Sequence, residues 1–178
     1  LAFFHPYQSA LRQRLGLEKR FVIGYQGNLS RMQRLDVLLA AMPLMVQERA
    51  DVSFLIGYTS DPHDLQRQVE SQGLQKHVLF VASPFETSAE VINACDLMVI
   101  PRSEAYGIPT KLLNYLACGK AIVVHENVLA GVVQRPEATG MHSFCDAASL
   151  AGVVLGLSAN RDALRSSGLE ARRFAERA

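Results

Sequence analysis

The chain has 178 residues, 49% of them hydrophobic and 20% charged, with a formal net charge of +1. That fits one globular domain burying roughly 70% of its unfolded surface, and so even a balance gives no reason to expect nucleic acid or a membrane surface as partner. No apolar run nears the ~20 residues of a membrane span, and no signal-peptide pattern appears.

In chain order, "QSALRQRLGL" reads as a short leading helix and "RFVIGY" (Arg20–Tyr25) as the first strand. "RLDVLLAAMPLMVQERA" then sets Leu35, Leu38, Leu39, Met42, Met45 and Val46 on one helical stripe, with a kink or early break expected at Pro43. After the strand "VSFLIGY" (Val52–Tyr58), "DPHDLQRQVESQG" opens with Asp61 as a cap and Pro62 at the first helical position, and closes on Gly73. The strand "HVLFVA" (His77–Ala82) precedes "TSAEVINAC", where Thr87 and Glu90 have the spacing of a capping box. Strands follow at "LMVIP" (Leu97–Pro101), "AIVVH" (Ala121–His125) and "MHSFC" (Met141–Cys145), with helices over Pro109–Cys118, Ala147–Leu157 and Arg161–Ala178. Four of the strands are continuous apolar runs, the signature of strands buried on both faces of a parallel sheet. The expected fold is therefore α/β: a Rossmann-like, doubly wound parallel sheet of about six strands with helices on both faces.

Cys95, Cys118 and Cys145 are far apart and odd in number, so reduced core thiols and a cytoplasmic location are expected. The chain starts at Leu1 rather than Met and reads as a piece of a longer protein. His5, His63, His77, His125 and His142 show no metal-ligand spacing, and no nucleophile elbow is present.

In such a fold, ligands bind beyond the carboxyl ends of the strands. The first loop there, "GYQGNLSRMQR", carries Gly24 and Gly27, a pair that marks a turn more often than a binding site. Arg31 and Arg34 lie beside a helix start, where two cations oppose the helix dipole unless an anion sits between them; pointing into solvent is the alternative. In "PRSEAYGIPTKLLNYLACGK", Pro109 suits a helix start, and Lys111 falls in the first turn. A cation there costs about 0.3–1 kcal/mol relative to an anion, and a bound phosphate inverts that sign. Asn114 either meets a ligand hydroxyl or bonds a neighbouring loop, while Leu112, Leu113 and Leu116 form the buried stripe. Glu104, in the same loop, is either an acceptor for a sugar hydroxyl or a solvated acid.

The order and spacing of "GYQGNLSRMQRLDVLLAAM", "VSFLIG", "HVLFVASPF", "VINACDLMVIPRSEAYGIPTKLLNYLACGKAIVV" and "TGMHSFCDAASLAGVV" resemble the C-terminal, donor-binding half of family 4 glycosyltransferases, retaining enzymes of the GT-B fold. The resemblance covers nearly the whole chain. It implies a donor nucleotide-sugar, with UDP or GDP as the nucleotide, lined by Gly27, Asn28, Ser83, Phe85, Glu104, Tyr106, Gly107, Ile108, Thr110, Lys111, Leu112 and Asn114. Lys111, Arg31 and Arg34 would stabilise the diphosphate, with no metal or other cofactor. Asn114 falls where the family places the second of its two glutamates, the one that bonds the donor's ribose hydroxyls, and Tyr106 where it places the first. Asn28 and Gln33 stand at the family's diphosphate-binding arginine and lysine. "ASPFE" matches the segment that meets the base, with Phe85 as base contact or core plug.

The resemblance further implies a glycan or lipid-linked acceptor carried by an absent N-terminal domain, and no transfer by this chain alone. It places the full-length protein in polysaccharide biosynthesis, in the cytoplasm, with peripheral association at the inner face of the membrane as an option. The departures at Asn28, Gln33, Tyr106 and Asn114 leave a second reading, a degenerate, non-catalytic nucleotide-sugar-binding module. An epimerase or phosphorylase of the same architecture is a third.

Overall fold

The computed structural model describes residues 3–104, 107–132 and 139–177. Six strands form one sheet: β1 (Phe21–Gly27), β2 (Val52–Tyr58), β3 (Val78–Ala82), β4 (Leu97–Ile100), β5 (Ala121–His125) and β6 (Met141–Phe144). Their order is β3-β2-β1-β4-β5-β6, and every neighbouring pair is parallel. Strand order reverses between β1 and β4, so the crevice at their carboxyl ends is the topological switch point.

The helices are α1 (Leu11–Arg14), α2 (Leu35–Glu48), α3 (His63–Ser71), α4 (Phe85–Ala94), α5 (Thr110–Ala117), α6 (Glu126–Val132), α7 (Ala147–Ala159) and α8 (Arg161–Arg177), with one 3₁₀ turn at Arg31–Gln33. Alternation along the strands feeds two separate cores. Ile23, Tyr25, Phe54, Ile56, Leu97, Val99 and Val123 pack with α2, α3 and α7 on one face. Val22, Leu55, Met98, Ile100, Ile122 and Val124 pack with α1, α4, α5, α6 and α8 on the other. Each fully buried Val, Leu or Ile contributes roughly 1.5–3 kcal/mol, which is why apolar runs and not alternating strands specify this sheet.

Local chemistry corrects three expectations. Pro43 does not end α2, which runs on to Glu48. The proline lies on the exposed side of the helix, where water can serve the carbonyl left without a partner. Nor does Thr87 head a capping box: α4 starts earlier, at Phe85 behind Pro84, and Glu90 instead accepts from Arg14 at 2.9 Å. Pro62 is the N-cap residue of α3 rather than its first helical residue, with Asp61 just before it accepting from the His63 N–H at 3.0 Å, and Gly73 follows the helix in the left-handed region. Cys95 and Cys118 are buried free thiols, whereas Cys145 is exposed. Among the described residues, no helix is long and apolar enough to cross a membrane.

Candidate functional site

β1 and β4 stay in register over only two pairs, Ile23 with Leu97 and Gly24 with Met98. Beyond them the strands part, and α5 fills in from above. The Tyr115 hydroxyl accepts from the Gln26 N–H at 2.9 Å and donates to the Gln26 carbonyl at 3.1 Å. Tyr115 is fully buried, which pushes its phenol up and keeps it neutral. One side chain thereby satisfies both main-chain groups of a residue that still pairs with Gly57 of β2 but lies beyond the β1–β4 pairing.

One turn earlier on α5, Lys111 reaches the carboxyl end of β1. Its ammonium donates to the Tyr25 hydroxyl at 2.8 Å and to Gln33 Oε1 at 2.6 Å, and lies 4.3 Å from the centre of the Tyr25 ring. The Tyr25 hydroxyl in turn donates to the Asn28 carbonyl. Gly27, at φ +142°, makes room for this arrangement, since a Cβ there would stand 3.0 Å from Lys111 Nζ. Burial pulls the Lys111 ammonium down to about 7, and the Arg102 guanidinium adds to the effect. The N–H groups of Thr110 and Lys111 open the helix beside it, as helix starts do. Donors, dipole and cation therefore face the same crevice.

Asn114, also on α5, is half-buried, and its side chain makes no hydrogen bond among the described residues. The alternative in which it bonds a neighbouring loop is not what the structure has. Thr110, Gly107 and Ile108 are exposed at the mouth, with Gly107 at φ +77°. Leu112 lies in the core, and its N–H goes to the Pro109 carbonyl, so its side chain faces away from the crevice. Glu104 is exposed, and its carbonyl accepts from Arg102 Nε. Tyr106 lies outside the described residues.

The two loop arginines differ in their contacts. Arg34, in the left-handed region at φ 52°, grips Asp36 through two hydrogen bonds of 3.0 Å and reaches Ser103 Oγ at 3.5 Å. That guanidinium holds the Asp36 carboxyl below its usual range. Arg31 is exposed and makes no such contact among the described residues, and Asn28 Oδ1 accepts from the Ser30 N–H and hydroxyl. Ser83 is buried, and its carbonyl and hydroxyl both accept from Gln26 Nε2. Phe85 is 64% exposed and stacks on Phe3 at 4.8 Å, which rules out its reading as a core plug. It follows edge strand β3, two strands or about 10 Å from β1.

Sequence reasoning brought out Lys111, Gly27 and Asn114, but missed Tyr25 and Tyr115. Both sit inside apolar runs and read as core. The one available signal was that a buried tyrosine needs a partner for its hydroxyl. Among the described residues, no cluster of three metal-ligating side chains occurs.

Residues 20–160 match the family model described as Glycosyl transferases group 1. A curated relative, D-inositol 3-phosphate glycosyltransferase of Segniliparus rotundus, is 29% identical over 132 residues, which cover 69% of this chain and 29% of the relative. Among solved structures, Anabaena Alr3699/HepE in complex with UDP and glucose superposes with a TM-score of 0.84 at 19% identity, over 99% of this chain and 50% of that one. The C-terminal domain of the Francisella tularensis group 1 protein LpcC gives 0.80 at 15% identity, over 99% and 95%. The chain thus spans at most half the length of the first two.

Proposed function

Given that the chain belongs to the glycosyl transferases group 1 family, we propose that it is the donor-binding half of a retaining GT-B glycosyltransferase, moving a sugar from a nucleoside diphosphate to a glycan or lipid-linked acceptor. One observation carries the reading: the half-buried Lys111 ammonium stands at the switch point, at the start of α5, held by two neutral side chains and by no carboxylate among the described residues. A cation so placed has no stabilising counter-charge unless an anion enters the crevice. The diphosphate fits that need, and the free amide of Asn114 suits the ribose hydroxyls. Neighbours of the same fold, titled as complexes with UDP, UDP and glucose, and UDP-glucose, support a nucleotide-sugar donor.

The chemistry follows from the charge. As the glycosidic bond to the diphosphate breaks, negative charge grows on the departing oxygen while the sugar becomes oxocarbenium-like. Lys111 and the opening N–H groups of α5 are fixed before that charge develops and need not reorganise, and such groups are worth about 2–4 kcal/mol of the barrier. In this reading no metal or other cofactor takes part. The acceptor site belongs to the remainder of a longer protein, so this chain alone binds donor but does not transfer. A cytoplasmic setting, at the inner face of a membrane for a lipid-linked acceptor, belongs to the same proposal.

A specific observation favours a second reading, a non-catalytic binding module: Arg34 is already neutralised by Asp36. Transfer by the full-length protein would exclude it. The deciding experiment for donor binding is calorimetric titration with UDP and GDP. Saturable binding is expected, weakened roughly 10- to 100-fold by Lys111→Ala as a charge-assisted bond is lost, and less by Asn114→Ala. Binding indifferent to Lys111→Ala, or none by the folded chain, would overturn the reading.

A further inference from the structure

Other cations in partly buried settings here have obvious partners. Arg12 sits on Asp96 at 2.9 Å, and Arg49 on Asp51 at 2.7 Å. Lys120 donates to the Asn93 and Cys95 carbonyls. Lys111, like Lys120, has neutral acceptors and no carboxylate within ion-pair distance among the described residues, but its acceptors are two side chains, a phenol and a carboxamide, at the carboxyl end of β1. The groups that face it are neutral or positive: the Tyr25 phenol from β1, the Gln33 amide from the 3₁₀ turn, and Arg102 from the segment after β4, with the Tyr115 phenol one turn further along α5. An ammonium has three donors, and two are used. The third has no acceptor among the described residues, at the end of a crevice lined by helix-start N–H groups.

We propose that Tyr25 and Gln33 are positioning residues that hold Lys111 at the crevice without a counter-charge, so that the arriving diphosphate supplies that charge and its binding draws one proton onto Lys111. The inference rests on the donor-site reading above. Its balance is simple: a buffer acid gives up the proton, the Nζ lone pair takes it, and no other bond changes. Burial and Arg102 already bring the free ammonium down to about 7. A diphosphate beside it acts in the opposite direction and restores the charged form. Between those two states binding takes up a proton, and affinity for the donor falls as pH rises.

The test uses the whole chain and follows acetylation of Lys111 by mass spectrometry from about pH 6 to about pH 10, free and with saturating UDP-glucose or GDP-mannose. Expected is a free Lys111 titrating near neutrality, moved upward by whichever donor binds, with donor affinity falling up to about tenfold per pH unit above neutrality. Gln33→Glu places a carboxylate in the cradle. It should raise the free Lys111 titration above that of the wild type and flatten the affinity profile. Tyr25→Phe keeps the ring but removes one acceptor, and should move the titration lower. A free Lys111 titrating at the ordinary lysine value, or an affinity independent of pH but still sensitive to Lys111→Ala, would overturn the inference and leave the donor site standing. A near-neutral Lys111 that no donor shifts would overturn the donor site itself.

Discussion

Lys111→Met keeps an apolar stem of similar reach and removes the charge. In the unfolded chain this lysine titrates near 10.5, in the folded chain at about 7, so between those values the unfolded state binds more protons. Stability from this group therefore rises with pH across that window. Urea unfolding near pH 7 and near pH 10 should show the wild type gaining on Lys111→Met as pH increases; parallel curves would mean an unperturbed lysine. Tyr115→Phe leaves the Gln26 N–H and carbonyl without their partner. That should cost about 1–3 kcal/mol, read as a lower urea midpoint at unchanged slope. Lys111 was legible in the sequence because a cation in a helix's first turn contradicts the dipole, and a contradiction invites a ligand. Tyr25 was not, because nothing in "RFVIGY" separates a tyrosine that fills a core from one whose hydroxyl leaves it.

At the scale of elements, α8 docks by close backbone approach. A Cβ on Gly140, at φ +66°, would stand 1.9 Å from the Ser167 carbonyl oxygen, and one on Gly168 would stand 2.4 Å from that of Gly119. Main chain cannot yield as a side-chain tip can, so Gly140→Ala should destabilise by about 3 kcal/mol in denaturant titration. Gly152→Ala, with open space around its Cβ position and a helical backbone, should be neutral or slightly stabilising. Periodicity located all six strands to within two residues of where they lie, since burial on both faces leaves little freedom in composition. Caps were less legible. The box that forms joins Asp146 and Ser149 at the start of α7, and Thr87 and Glu90, equally well spaced, form none because Pro84 starts α4 before them. Spacing alone does not say which turn the chain enters first.

For the molecule as a whole, the order of strands decides where a ligand can sit, and alternation of strand and helix did not determine that order. The sequence marked the loops after the first, third and fourth strands. The sheet ranks them, putting the loops after β1 and β4 at the switch point and the one after β3 at the edge. A donor at the switch point bridges elements far apart in sequence, so it should stabilise the fold globally. At a hundred times its Kd, about 2.7 kcal/mol is expected, seen as a rise in Tm that Lys111→Ala reduces. An unchanged Tm at concentrations that saturate in calorimetry would place binding on a locally unfolding segment.

The parting of β1 from β4 has a kinetic corollary. The Gln26 amide hydrogen is protected by the Tyr115 side chain on α5 rather than by a neighbouring strand. Its solvent exchange is then a clock for α5 lifting from the sheet, whereas the amides of Ile23 and Tyr25, which face β2, report the opening of the sheet itself. If Gln26 exchanges faster than those two in the free chain and slows when donor is bound, the crevice breathes through its helix while the strands beneath stay closed.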